Sequence, residues 1–481
     1  MGPWVERDSH GSVLHPAAPP DWQELVTDYG GERPAPVEQI FEVVRQSDCR
    51  TVVVENRYVD MDYRSGYSAF WSLRFQTSAP FARRLHFFTE HLDQSRVHQL
   101  PENVGHLGYR VLRPVPGGRV GRTVLAPPPS LSGAALATIE DRVSLFGNEL
   151  TVEGVPFCQQ DGECLRCAHV AAWICHYTGH RVGLVGRCTT AAIAESSPPM
   201  VSLERALPSK GMTLNQLQAV FGALGRPALF YGLSNMPTVR GVPNPTPQID
   251  ERGEQLPAGL WDTRMFSVIC RYLNSGFPVL IGTTDHAFVL VGWLRDGEHV
   301  RFIACDDQVG PYELIDSPFS HREAPWQSMM IPLPTKVFLG GESAENAAYE
   351  TISALATGDL KPLAQALAAG TVQLRSSLRT GSDFKRAVDA QARSDEVLRL
   401  VRLARLPHWA WTVEAHVRSA CDAEQDCVIA EVVLDSTSCD LSPREDVIAL
   451  PGLVATFPPD GGEVQTTDAG VRPWASLLTA H

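Results

Sequence analysis

Lysine is scarce in this chain. Only four of its 41 basic residues are lysine and the rest are arginine. With abundant Ala, Pro and Gly, this bias points to a GC-rich bacterial coding sequence and says nothing of function. Basic excess is missing too: the net charge is −14 and the pI about 5.5. That balance argues against a basic nucleic-acid-binding surface and against electrostatic attachment to a membrane. No run of about 18 apolar residues occurs, so no transmembrane helix is expected. The opening stretch MGPWVERDSHG has no basic segment followed by an apolar one, so no secretory signal is expected. The 11 cysteines are odd in number. A reducing, cytoplasmic setting with mostly free thiols follows as the expectation. A Gly-rich phosphate loop ending in Gly-Lys-Ser/Thr, a GxSxG elbow, an HExxH helix and a fixed-period repeat are all absent from the sequence.

What is present is a chain rich enough in apolar residues (44%) to bury a core, and 481 residues long, enough for about three domains. Residues 1–35 are rich in Pro, Gly and His and are read as a flexible N-terminal segment. Residues 36–148 read as a mixed α/β domain. PVEQIFEVVRQ has helical apolar spacing, TVVVENRYVDMDY reads as a strand pair, and GYRVLRPV and RVGRTVLAPP flank a turn at Pro116–Gly118. Arg113, Arg119 and Arg122 read as a solvated face. Residues 149–340 form the third segment. CLRCAHVAAWICHYTG reads as a helix ending at Gly179, MTLNQLQAVFGALG as a helix capped by Thr213, and MFSVICRYLNSG as a third helix. PVLIGTT, HAFVLVGWL and HVRFIACDD then read as strands. Helices followed by strands predict an α+β domain. Residues 345–481 begin helical and turn β-like, predicting an α+β C-terminal domain.

Three segments carry chemistry. Gln159-Gln160-Asp161 precedes Cys164-Leu-Arg-Cys167, Asp285-His286 precedes an apolar strand, and Asp306-Asp307 ends the next strand, with Gly310 four residues after Asp306. A thiol nucleophile needs help to ionise, from a helix N-terminus or an imidazolium. Cys167 stands where an apolar helix begins. His286 opens a strand and can reach it, and Asp306 can orient the ring. Gln160, with Gln159 as the alternative, can donate to an oxyanion together with the Cys167 N–H. Asp285 reads as loop surface, and Asp307 as a rival to Asp306.

This arrangement resembles the papain-like cysteine peptidase superfamily, including bacterial peptidases that cleave double-glycine leader peptides, over residues about 155–320. There a Gln precedes a Cys that opens a helix, a His-Ala-Val-x-x-Val-Gly-like strand follows, and an Asn or Asp comes after the next strand. The residue after Cys167 is Ala, and Gln160 lies one residue further from the Cys than in papain. The resemblance implies a papain-like fold, with a helix-bearing Cys lobe and an antiparallel sheet lobe, and mixed α/β domains on either side. It implies a thiol-dependent hydrolase, a peptidase or isopeptidase, with Cys167, His286, Asp306 and Gln160 as catalytic residues. It further implies a protein or peptide substrate, with no cofactor and no metal.

Other readings compete. Cys164 is the rival nucleophile or a redox partner of Cys167. An acyl transferase could use the same triad, and a silent papain-like core could serve as a binding scaffold. Cys158, Cys164, Cys167, Cys175, His176, His180 and Cys188 offer the donors for a tetrahedral zinc site. Cys421 and Cys427 read as unpaired thiols.

Overall fold

A computed structural model of the chain describes residues 5–7, 11–101, 104–197, 207–232, 263–296, 299–315, 320–321, 324–355, 361–369, 372–390, 394–417, 427–438, 445–450, 453–457, 464–466 and 474–475. Cys421 lies outside the described residues, as does the side chain of Cys427. The chain is mixed α+β and forms two compact units. One joins Met1–Leu233 to Gly276–Leu333, and the other joins Ser234–Ser275 to Pro334–His481. No helix among the described residues is long and apolar enough to cross a membrane.

Among its described residues the first unit has two large antiparallel sheets, besides a two-stranded one of Ser320–His321 and Ala324–Pro325. The eight-stranded sheet runs Val5–Arg7, Gly11–Leu14, Thr51–Tyr58, Ala82–Phe88, His106–Leu112, Val120–Leu125, Asn148–Phe157, Ile139–Leu145. The second runs Ala228–Gly232, Ser328–Pro332, Val279–Gly282, Ala287–Asp296, His299–Asp306, Gly310–Ile315, with the short strand Ala135–Leu136 also pairing onto Ala287–Asp296. The helix Cys167–Arg181 is buried along most of its length, and Trp173, Ile174 and Cys175 are shut off from solvent. A helix apolar all round must sit inside a core. One apolar cluster takes in residues of this helix and of both sheets, among them Val124, Val155, Ala172, Val289 and Ile303.

Several expectations need correction. The boundary at 148/149 divides a hairpin: Asn148–Phe157 pairs with Ile139–Leu145 on one side and Val120–Leu125 on the other. Residues 36–148 therefore share a unit with the segment that follows. The described residues of the N-terminal segment are built into strand and helix. Gly11–Leu14 pairs with residues Val52–Glu55, and a helix at Pro19–Gly30 buries Trp22 and Leu25. Its two prolines sit in the first turn, where a missing N–H costs nothing. VDMDY is no strand: Asp60 accepts from the Tyr63 N–H and caps a helix at Met61–Ala69. Gly179 does not end its helix, which continues to Arg181. A Cβ there would lie 2.4 Å from Arg226, so glycine admits that side chain. Arg113 and Arg122 are buried rather than solvated.

In the second unit the strands Val372–Thr380, Trp409–Val417, Cys427–Asp435, Glu445–Leu450, Leu453–Thr456 and Val464–Thr466 form a meander, with Trp474–Ala475 pairing onto Cys427–Asp435. The helix Thr263–Asn274, expected within 149–340, belongs here. Its buried Arg271 pairs with Glu342 (2.7 Å) and Glu345 on the helix Gly341–Leu355. Local patterning finds such a helix but not the ion pairs that assign it to a unit.

Candidate active site

Cys167 is the first residue of its helix, directly after the N-cap Arg166. Helix N-termini carry unpaired N–H groups and a partial positive charge, which favour an anion. The loop before it is held by Asp161. One carboxylate oxygen accepts from three successive backbone amides, Glu163 (2.9 Å), Cys164 (2.7 Å) and Leu165 (2.9 Å). The other faces Arg113 at 3.6 Å. Arg166 Nε donates to the Ser209 carbonyl at 2.8 Å, bringing a distant segment against the loop.

His286 stands just before Ala287–Asp296, at the end of a short turn. Its N–H donates to Thr283 Oγ1 (3.2 Å) and its carbonyl accepts from the Thr283 N–H (2.9 Å). His286 Nε2 lies 3.0 Å from Asp306 Oδ2, and Nδ1 lies 3.3 Å from the Gln308 side-chain amide. The Cys167 side chain lines the same cleft as the ring and favours its protonated form. Asp306 ends the adjacent antiparallel strand and is wholly buried. Its second oxygen accepts from the Gln308 N–H at 2.7 Å, which fixes the carboxylate. Burial opposes a charge on His286, but the bond to Asp306, the Cys167 side chain and the charges of Asp306 and Asp307 outweigh it. They push the imidazole up to about 10.

The structure therefore brings Cys167, His286 and Asp306 together. Gln160 lines the same cleft, which measures about 1090 Å³ and is also lined by His169, Lys210, Leu214 and Gln327. Gln159 is spent on structure: Oε1 accepts from the Val120 N–H and Nε2 donates to the Arg33 carbonyl. Cys164, the rival nucleophile, is buried, and burial and the nearby Asp161 push its thiol up to about 12. Asp285 is exposed, as expected. Protein-family models and curated proteins give no match to this chain. The site must be read from its own geometry.

The Cys-rich stretch does not assemble a metal site. Among the described residues one group of His, Cys, Asp or Glu is close enough to hold an ion, and it is His286, Asp306 and Asp307. His169, on the first turn of the Cys167 helix, is held neutral: burial lowers it to about 4, and its Nδ1 accepts from the Arg166 N–H.

Sequence reasoning passed over several supports. Asp161 lies three residues before Cys164, the spacing of a side chain capping backbone amides, and that signal was available. Arg113 donates to the carbonyls of Gly118 and Gln159, tying the Pro116–Gly118 turn to the Gln160 loop. That turn needs its glycines: a Cβ on Gly118 would lie 1.8 Å from the Gln160 carbonyl oxygen. Gly292, read as part of the His286 strand pattern, has a packing reason of its own. A Cβ there would meet the Ala135 carbonyl at 2.4 Å.

Proposed function

We propose that the first unit is a cysteine hydrolase with a papain-like arrangement, acting on a protein or peptide as peptidase or isopeptidase. One observation carries this reading. A cysteine at a helix N-terminus shares the wall of an open cleft with a histidine that lies 3.0 Å from a buried aspartate. Nucleophile, base and orienting group are the parts that acyl transfer requires.

Cys167 Sγ attacks the substrate carbonyl carbon as thiolate, with the proton on His286. The carbonyl oxygen becomes an oxyanion, which the Cys167 N–H and the Gln160 side chain are placed to stabilise. As the tetrahedral intermediate collapses, His286 gives its proton to the leaving amine and a thioester remains on Cys167. His286 then takes a proton from water, the hydroxide adds to the thioester, and a carboxylic acid departs as the thiol is restored. Asp306 keeps Nε2 bonded throughout, leaving Nδ1 for the Cys167 side. No two of the described cysteines form a disulfide, which supports a reducing, cytoplasmic setting.

The test is digestion of a diverse peptide pool, read by mass spectrometry, with wild type and Cys167→Ala. New termini with wild type that vanish with the variant, at unchanged circular dichroism, are expected. Equal cleavage by both would refute the assignment.

A further inference from the structure

The geometry points to a second property of this site: His286, Asp306 and Asp307 form a binding site for one divalent transition-metal ion of the zinc class. Occupancy holds the proposed hydrolase off, and that consequence rests on the hydrolase reading. His286 Nε2 is 3.0 Å from Asp306 Oδ2 and 3.9 Å from Asp307 Oδ1. One ligand atom from each of the three residues lies within 4.8 Å of the others. Ligands about 2.1 Å from a tetrahedral zinc stand about 3.4 Å apart, between the two measured separations.

An independent observation singles out Asp307. It is 2% exposed, and neither carboxylate oxygen completes a hydrogen bond. The Gln160 backbone leans toward it, and Arg33 acts on it only through its charge. A buried carboxylate so placed is costly unless it is neutral or meets a cation. Asp307 also lines a cavity of about 430 Å³ that does not include Cys167, bounded by Arg33, Glu38, Gln159, Gln160 and Gln308. That cavity lies beside the buried carboxylate, and three protein ligands leave a fourth position for water.

Binding is a balanced exchange. The Nε2 proton passes to solvent, the lone pair it leaves goes to the metal, and Asp306 turns from hydrogen-bond acceptor to ligand. A ring so bound is neutral and brings no net charge to the Cys167 cleft. It can neither pair with the thiolate as an imidazolium nor protonate a leaving amine.

The experiment is zinc titration calorimetry at pH 7 on folded Cys167→Ser protein, which has no thiolate at the cleft. It is repeated on Cys167→Ser/Asp307→Asn and on Cys167→Ser/His286→Ala. One zinc per chain is expected for Cys167→Ser, with proton release read from buffer dependence. Affinity should be weakened at least about 10-fold in both double variants, the size typical of lost metal-site support. Failure of Cys167→Ser to bind, or undiminished binding by either folded double variant, overturns the site. No turnover is read, so a failed hydrolase assignment would leave this result standing, and the reverse.

Discussion

Replacing Asp306 by Asn keeps shape and removes one charge 3.0 Å from His286 Nε2. At an effective dielectric of about 20, two unit charges at that distance attract by about 5 kcal/mol. At 1.36 kcal/mol per pH unit this corresponds to about 4 units. The His286 imidazole, raised to about 10 in the native site, should therefore fall to about 6 in Asp306→Asn. The native ring gains its proton's partners on folding, so their contribution to stability is complete below the ordinary histidine value of 6.5. It is lost as pH rises through 10. In Asp306→Asn that alkaline loss should disappear. The assay is the pH titration of histidine ring resonances by NMR in chelator-treated protein, with His286 assigned by its loss in His286→Ala. Turnover should drop by roughly 10²- to 10⁴-fold, as when a triad loses its orienting acid. A native His286 that titrates near 6.5, or an Asn variant that still titrates near 10, would refute the electrostatic argument.

Other outcomes follow from the same geometry. Cys164→Ser should keep turnover and Cys167 labelling, because burial already holds the Cys164 thiol near 12; loss of both would implicate Cys164. Asp161→Ala strips three amides of their acceptor and should cost about 3 kcal/mol in urea unfolding while slowing Cys167 alkylation; unchanged stability would contradict its role. Gly118→Ala drives a methyl onto the Gln160 carbonyl and should reduce turnover more than substrate binding, and equal kinetics would separate Gln160 from the oxyanion. Arg110 is wholly buried, and none of its three side-chain nitrogens has a hydrogen-bond partner among the described residues. Arg110→Met should raise stability by about 1–3 kcal/mol in thermal unfolding, whereas a loss would mean the charge is needed.

The placement of Cys167, His286 and Asp306 was the most legible part of the sequence. Cys167 at a helix start, His286 at a strand start and Asp306 at the next strand end are local signals, and antiparallel pairing of the two strands brings the last two together. Gln159 and Gln160 could not be told apart, because what divides them is contact with Val120 and Arg33, both far away in the chain. Unit boundaries were least legible. Strand patterning marks Asn148–Phe157 but not its partners, and those partners merge two expected domains into one. Asp307 looked like a turn residue. Its buried, unbonded carboxylate depends on the Gln160 loop and the Arg33 region folding over it.

The most direct test of the central claim is the pH dependence of iodoacetamide labelling, mapped residue by residue by mass spectrometry, on wild type and His286→Ala. The account predicts rapid labelling of Cys167 below about pH 7 in wild type, and its loss in the variant. Labelling of Cys167 that rises only near pH 8.5 in both proteins would contradict a thiolate–imidazolium pair, as would preferential labelling of Cys164.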